Sequence, residues 1–158
     1  MAVEIERKFL VDAEKFRAEK DFDSIEKICQ GYLSKKIDQT VRIRIKNDRG
    51  FLTIKSKTVG ISRFEFEYQI PLRDAEELLK ICEPFPIFKT RYVKKFGKDR
   101  WEIDVFDREN SGLILAEIEL RDELEEFFKP AWLLEEVSTD PRYFNSYLSE
   151  NPLSTWKI

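Results

Sequence analysis

The chain has 158 residues, which is enough for one domain with one hydrophobic core. Its 28 Lys and Arg against 31 Asp and Glu leave a net charge of -3, so it has no overall attraction to nucleic acid or to an anionic membrane. The absence of histidine removes the commonest zinc ligand and the commonest acid–base group at neutral pH. A bound metal would therefore have oxygen ligands, as Mg²⁺, Mn²⁺ and Ca²⁺ prefer.

Two further features of the sequence bear on the protein's setting. Cys29 and Cys82 lie far apart in apolar surroundings, and we expect buried free thiols rather than a disulfide or a nucleophile. The sequence contains no signal peptide and no apolar run of membrane length. We therefore expect a cytoplasmic protein with a single domain over residues 1–158.

The first predicted element is a strand over residues 2–11, where apolar and charged residues alternate. On a strand, this spacing places Glu4, Glu6 and Lys8 on one face and the apolar residues on the other. Two carboxylates and an ammonium group crowded on one strand face are costly unless that face holds a metal or an anionic ligand. The segment therefore indicates a binding site.

The same alternation recurs along most of the chain and predicts further strands. Turn residues separate them, as at 47–50 and 110–112. The further predicted strands cover residues 40–46, 51–57, 63–70, 88–93, 101–106 and 115–120. Roughly eight strands joined mainly by short turns predict an antiparallel sheet that closes or nearly closes on itself.

Helices are predicted at four places. Asp12 is a suitable N-cap for the first of them, and Pro84 is expected to end the second. The predicted helices cover residues 13–19, 73–83, 122–128 and 141–148. We expect them to flank the sheet, which makes the fold class α+β.

Nearly every predicted strand carries two like charges at positions i and i+2, opposite its hydrophobic residues. In an ordinary half-solvated sheet, the polar face is mixed, and adjacent like charges repel one another. If these faces instead line a barrel, they form a chamber that suits a metal–polyphosphate complex. The anionic pairs are Glu4/Glu6, Glu65/Glu67, Glu102/Asp104 and Glu117/Glu119, and the cationic pairs are Arg42/Arg44, Lys55/Lys57 and Lys89/Arg91.

These segments resemble the CYTH, or triphosphate tunnel metalloenzyme, family over nearly the whole chain. The run from Glu4 to Lys8 is similar to the family's Glu-x-Glu-x-Lys signature. The resemblance implies an eight-stranded antiparallel β-barrel, or tunnel, with a charged interior, which hydrolyses or cyclises triphosphates with Mg²⁺ or Mn²⁺ as cofactor. The further matching blocks are Gln30-Gly31-Tyr32-Leu33, Arg42-Ile43-Arg44, Leu52-Thr53-Ile54-Lys55, Glu65-Phe66-Glu67, Trp101-Glu102-Ile103-Asp104, Ala116-Glu117-Ile118-Glu119 and the run from Glu136 to Tyr143.

The resemblance also implies roles for individual residues. Lys8 would activate the attacking water, and Tyr32 is either a second activating group or a structural residue. A lysine acts as a base only if neighbouring cations lower its pKa. The phosphate-binding residues would be Lys8, Arg42, Arg44, Lys55, Arg63, Lys89 and Arg91. The metal-binding residues, directly or through water, would be Glu4, Glu6, Glu65, Glu67, Asp104, Glu117 and Glu119.

Two of the cations have an alternative role. Arg63 either holds phosphate or pairs with a carboxylate, and Lys57 either faces the tunnel or belongs to a loop. Glu102 is a weaker candidate for a metal ligand than Asp104.

Three functions are consistent with these patterns. The first is a divalent-metal-dependent triphosphatase, a phosphoanhydride hydrolase, with inorganic triphosphate as its leading substrate. The second is a class IV-type adenylate cyclase on the same fold, and the third is a non-catalytic protein that binds polyphosphate, a nucleotide or RNA. RNA binding is disfavoured because Phe64, Phe66 and Tyr92 fall on faces opposite the charged ones. We expect a small-molecule triphosphate as the partner, no nucleic acid and no membrane, and leave a homodimer open.

Overall fold

The structure, a computed structural model, describes residues 3–83 and 86–157. The strands in this part of the chain are β1 (Val3–Val11), β2 (Ser24–Lys36), β3 (Gln39–Lys46), β4 (Arg49–Ser56), β5 (Ser62–Ile70), β6 (Ile87–Phe96), β7 (Asp99–Phe106), β8 (Ile114–Leu120) and β9 (Leu133–Glu136). The first eight form an antiparallel sheet in the order β1-β5-β4-β3-β2-β6-β7-β8, and β8 pairs with β1 to close it. The predicted eight-stranded barrel is confirmed.

The strand β1 closes the barrel. On one edge it pairs with β8, with Lys8 opposite Glu117. Its other edge is shared: Val3 pairs with Phe64 of β5, and Phe9 pairs with Glu136 of β9. Two strands are missing from the predicted set: β2, of which only residues 30–33 form a matching block, and β9. The four residues of β9, two leucines followed by two glutamates, do not alternate.

The helices are α1 (Ala13–Arg17), α2 (Leu72–Lys80) and α3 (Asn145–Glu150), with short 3₁₀-helices at Arg108–Asn110, Pro141–Tyr143 and Leu153–Thr155. Asp12 caps α1 as predicted, since its Oδ1 accepts the N–H of Lys15 at 3.0 Å. The helix predicted over 141–148 is instead a 3₁₀-turn followed by α3. The helix predicted over 73–83 ends at Lys80, three residues earlier than expected, and Pro84 itself lies outside the described residues.

None of the described helices is long and apolar enough to cross a membrane.

The helix predicted over 122–128 is wrong: these residues form turns and irregular backbone. Asp99 Oδ2 accepts the N–H of Phe128 at 2.7 Å, and the Phe128 carbonyl accepts the indole N–H of Trp101 at 3.2 Å. The Phe127 ring packs edge-on against Phe9 and Trp101. These tertiary contacts engage the backbone in place of helical hydrogen bonds, and they outweigh the helix propensity of the segment.

The hydrophobic core lies mainly outside the barrel wall. The outward residues of β1, β7 and β8 pack against α1 and Trp132 around Trp101, which is fully buried. A second cluster joins Ile43 on the outer face of β3 to Ala75 of α2 and Cys82. Cys82 is a buried free thiol as predicted, whereas Cys29 is only half-buried.

A third apolar cluster closes one end of the barrel. Ile87 and Phe106 share their strand faces with the inward-facing Lys89 and Asp104, and both pack with Leu148 of α3. The rest of the interior is left to polar and charged side chains. The C-terminal segment is therefore part of the wall of the interior.

The close approach of α2 to β4 makes the glycine at position 50 necessary. A Cβ at Gly50 would lie 2.7 Å from the Cβ of Ala75 and 3.1 Å from the Ile70 carbonyl oxygen. Overpacking of this kind costs about 1–3 kcal/mol. We expect Gly50→Ala to lower the free energy of unfolding by that amount in urea denaturation.

A double-variant cycle provides the control for this prediction. Ala75→Gly removes the facing methyl group but costs about 1 kcal/mol through helix propensity. The Gly50→Ala, Ala75→Gly protein should therefore lose less stability than the two single variants together. Strict additivity would contradict the proposed contact.

Candidate active site

A cavity inside the barrel holds an unusual concentration of charge. Its open space, including the mouth, is about 810 Å³. Seven cations and three carboxylates line it, which leaves a formal excess of four positive charges. The cations are Lys8, Arg42, Arg44, Lys55, Arg63, Lys89 and Arg91, and the carboxylates are Glu4, Glu6 and Glu117. All seven predicted phosphate-binding residues thus face one cavity.

The alternation of the strands produces this concentration. On β3, Ile43 points outward against α2 and is fully buried, so Arg42 and Arg44 must point inward. On β6, Lys89 and Arg91 likewise point inward and line the cavity. Lys57 follows the end of β4 and is exposed, so it belongs to the loop.

The seven predicted metal-binding carboxylates do not all lie in the cavity. Only three of them line the cavity. Asp104 is fully buried, and Glu65 lies 3.8 Å from the ammonium group of Lys55. Glu67 lies 3.6 Å from Arg42, and Glu119 is exposed.

Asp104 holds two of the cavity cations in place. It accepts from Nε and Nη2 of Arg91 at 2.8 and 2.9 Å, and its Oδ2 lies 2.7 Å from Nζ of Lys89. Burial alone would raise the pKa of Asp104, but Arg91 and Lys89 outweigh it and lower that pKa to about 2. Arg91 also donates to Glu102 at 2.7 Å. Asp104 and Glu102 therefore pair with the cavity cations but do not themselves line the cavity.

Glu4 is paired with two cations. Both of its oxygens accept from the Lys55 ammonium at 3.1 Å, and one accepts from Arg63 Nε at 3.1 Å. Burial acts to raise the pKa of Glu4, but Lys55 and Arg63 outweigh it and hold that pKa well below its usual range. Glu4 is therefore ionised, and Arg63 both pairs with a carboxylate and lines the cavity.

The carboxyl groups of Glu6 and Glu117 influence each other strongly, and their pKa values shift in opposite directions. Burial and the nearby Glu117 and Glu4 raise the pKa of Glu6 well above its usual range. Burial also acts to raise the pKa of Glu117, but Lys8 and other cations lower it below its usual range. Two neighbouring carboxyl groups of this kind offer oxygen ligands to a divalent cation, whose charge would favour the ionised form of Glu6.

The described residues contain no group of three or more carboxylates and thiols that is arranged to hold a metal. A cation at Glu6 and Glu117 would thus need further ligands from water and a bound anion. This is how Mg²⁺ is usually held, with one or two carboxylates and substrate phosphates.

The two buried lysines of the site have opposite electrostatic surroundings. Lys8 lies 3.3 Å from Glu117 and donates to the Tyr143 carbonyl oxygen at 3.0 Å. Burial acts to lower its pKa, but Glu117 and Glu6 outweigh it and raise that pKa. At Lys89, burial together with the neighbouring Arg91 lowers the pKa to about 7, despite Asp104. Burial and the neighbouring cations thus lower the pKa of Lys89, whereas Lys8 keeps its charge.

A hydrogen-bonded network links several site residues. The Gln30 Oε1 accepts from Arg44 Nε at 3.0 Å, and its Nε2 donates to the Tyr32 hydroxyl at 3.3 Å and to Asn145 Oδ1 at 3.2 Å. Asn145 Oδ1 also accepts from Lys89 Nζ at 3.0 Å. Sequence reasoning assigned no role to Gln30, although it belongs to a matching block, and it missed Asn145.

The C-terminal segment contributes the remaining polar lining. Ser138, Phe144, Asn145 and Ser146 face the cavity. Asp140 accepts the backbone N–H of Arg142 and begins the 3₁₀-turn at Pro141–Tyr143. No charge pattern marks these lining residues, so nothing in the sequence indicated them.

The aromatic residues that argued against RNA binding lie away from the cavity. Phe64 and Phe66 are on the outer surface of β5 and about 40% exposed. The Tyr92 ring packs against Phe16 and Phe22. These three aromatic residues therefore offer no stacking partners to a ligand beside the cavity cations.

The protonated carboxyl groups predict how the stability of the metal-free protein depends on pH. Burial and, more weakly, Glu4 raise the pKa of Glu65 from 4.5 to about 7 against the effect of Lys55, and Glu6 is raised likewise. Between pH 4.5 and about 7, the two pKa values given for Glu65, the folded state binds more protons than the unfolded state. The free energy of unfolding therefore falls as pH rises. We expect the Tm in chelator to drop from pH 5 to pH 7.

Glu65→Gln should make this decline shallower, whereas Glu76→Gln, which changes an exposed residue of α2, should not. A Tm that rises over the same interval, or an unchanged slope in Glu65→Gln, would contradict the assigned protonation.

Comparison with known proteins agrees with this geometry. A profile of the CYTH domain matches residues 2–145. An inorganic triphosphatase of Acetivibrio thermocellus is 45% identical over 161 residues, covering 99% of each chain. An inorganic triphosphatase of Nitrosomonas europaea is 37% identical over 150 residues, covering 92% of this chain and 96% of the relative. The crystal structure of an inorganic triphosphatase superposes with a TM-score of 0.66 at 34% identity, covering 94% of this chain and 95% of the other. The chain belongs to the CYTH domain family.

Proposed function

We propose that this protein is a divalent-metal-dependent triphosphatase that hydrolyses inorganic triphosphate inside the barrel. The observation that carries the proposal is the convergence of seven cations, against three carboxylates, on the lining of one cavity. Asp104 and Glu102 pair with some of these cations but do not line the cavity, so the surface that a ligand meets is predominantly positive. A small polyanion complements such a surface, because Lys and Arg bind phosphate oxygens through charge-assisted hydrogen bonds. The two relatives above are named inorganic triphosphatases, which supports this choice of polyanion.

Arg42 supports the proposal at the level of a single atom. Its Nη2 donates to Thr53 Oγ1 at 3.1 Å, but its Nε is buried with no hydrogen-bond partner among the described residues. A buried N–H without an acceptor is costly, and such groups are rare in folded proteins. An anion oxygen in the cavity would satisfy it.

The mutual repulsion of the cations supports it further. Burial together with Arg42 and Arg91 lowers the pKa of Arg44 to about 9. Burial also lowers the pKa of Lys55, with Arg42 and Arg63 contributing, against the effect of Glu4. Burial and mutual repulsion both disfavour the charged forms of these residues, and bound phosphates would have the opposite effect.

CYTH triphosphatases depend on a divalent cation, and the Glu6–Glu117 pair offers oxygen ligands suited to one. We propose Mg²⁺ or Mn²⁺ there. When bound, the metal would neutralise phosphate oxygens and favour attack at phosphorus. We propose that the other four predicted metal-binding carboxylates act indirectly, either through water or through the cations beside them. They are Asp104, Glu65, Glu67 and Glu119.

The chain's own residues would then position the reactants. The seven cavity cations would bind the phosphate oxygens and stabilise the charge that develops as water attacks a terminal phosphorus and pyrophosphate leaves. Lys8, which keeps its proton, would hold the attacking water or a phosphate oxygen through its N–H groups. Tyr32 lines the same cavity and is proposed to direct its hydroxyl group toward that water.

A panel of substrates tests the proposed function. Inorganic triphosphate, ATP and thiamine triphosphate would each be incubated with Mg²⁺ or Mn²⁺, and orthophosphate and cyclic AMP would be measured together. We expect orthophosphate from inorganic triphosphate, no cyclic AMP, and no turnover in chelator. Cyclic AMP from ATP would favour the cyclase alternative, and tight binding without turnover would favour the non-catalytic one.

Variants of two glutamates link that activity to the cavity. Glu6→Gln removes a proposed metal ligand and should lower kcat/KM by about 100-fold or more. Glu76→Gln makes the same chemical change on the exposed face of α2 and should leave the rate unchanged. Equal rates for the two variants would contradict the assignment of the cavity as the active site.

A further inference from the structure

Asn145 brings a side chain from outside the barrel into the cavity. It is the first residue of α3, and its amide group lines the cavity beside Lys89. The charged residues of the lining, in contrast, all belong to the barrel strands. Asn145 is therefore a point at which the C-terminal segment can contact a bound ligand.

The chemistry of its neighbours fixes which way the Asn145 amide faces. Arg44 is a donor only, so Gln30 must present Oε1 to it and Nε2 to Asn145. Lys89 is also a donor only. The atom of Asn145 that meets both Gln30 Nε2 and Lys89 Nζ must then be Oδ1. The amide Nδ2 is left without a hydrogen-bond partner among the described residues.

We propose that Asn145 is a substrate-binding residue, whose Nδ2 donates to a phosphate oxygen of triphosphate while its Oδ1 positions Lys89. This deepens the proposed function and rests on it, because triphosphate is taken as the ligand. Gln30 is the positioning residue that sets the orientation of the amide. The C-terminal segment thereby takes a direct part in recognition.

The choice of an amide rather than a carboxylate supports this role. An aspartate at position 145 would accept from both Gln30 and Lys89, and would pair with the Lys89 ammonium more strongly than a neutral amide does. A purely structural role would therefore be served as well or better by aspartate. A bound anion, in contrast, is attracted by Nδ2 and would be repelled by a second carboxylate oxygen in its place.

Two variants separate these roles. Asn145→Asp keeps the shape and the Lys89 contact but replaces the donor with a charge, and Asn145→Ala removes the whole amide. The control is Asn151→Asp, which adds the same charge just beyond α3, outside the cavity lining. Titration calorimetry would measure Kd for inorganic triphosphate without metal, and KM would be measured with Mg²⁺.

We expect Asn145→Asp to weaken triphosphate binding by about 100-fold and Asn145→Ala by about tenfold, in both Kd and KM. The Tm of Asn145→Asp should equal or exceed that of the unaltered protein, and Asn151→Asp should bind normally. An aspartate variant that binds more weakly than the alanine variant is the result expected if position 145 lies beside the bound anion, because the loss of a purely structural contact would give the reverse order.

Triphosphate binding by Asn145→Asp within about twofold of the unaltered protein would overturn the inference, as would weaker binding by Asn145→Ala than by Asn145→Asp. An unaltered protein that binds no triphosphate would also overturn it. Triphosphate that binds the unaltered protein without being hydrolysed would refute the proposed function alone, since the binding comparison among the variants stands without turnover.

Discussion

The structure depends on the compensation of buried positive charge. Moving an ion out of water costs several kcal/mol even in a relaxed protein, and the barrel places Lys8, Arg42, Arg44, Lys55, Lys89 and Arg91 almost entirely out of bulk solvent. Asp104 and Glu4 each pair with two cations, which keeps the wall folded. The residues that line the cavity nevertheless comprise seven cations and only three carboxylates, because Asp104 holds its cations without entering the lining. The proposed affinity for an anion follows from that cationic lining.

This constraint explains why the hydrophobic core is distributed around the barrel instead of within it. Since charges fill the interior, the outward faces of the strands must supply the apolar contacts, with Trp101 and Trp132 on one side and Ile43 under α2 on another. The C-terminal segment closes one end with Leu148 and places Asn145 at the cavity. Packing and recognition therefore use the two faces of the same strands, and a one-residue slip of register would exchange them.

The sequence was sufficient to predict the barrel and its cationic wall, because a period of two assigns each side chain to a face without further information. The sequence could not show which carboxylates reach the cavity. Asp104 and Glu117 have the same pattern, yet the first lies behind Lys89 and Arg91, and the second pairs with Glu6. It also could not reveal Asn145, whose place depends on the docking of distant segments. The wrong helix over 122–128 has the same cause, since contacts with Asp99 and Trp101 decide its backbone.

The central claim is that the cavity binds an anion of matching length and charge. The most direct test is the shift in Tm on addition of inorganic triphosphate, pyrophosphate or orthophosphate to the metal-free protein at low ionic strength. A ligand that binds only the folded state stabilises it by RT ln(1 + [L]/Kd). The account predicts a large upward shift with triphosphate, a smaller one with pyrophosphate and the smallest with orthophosphate, each reduced by added salt. Equal shifts for the three anions, or no shift with triphosphate, would contradict it.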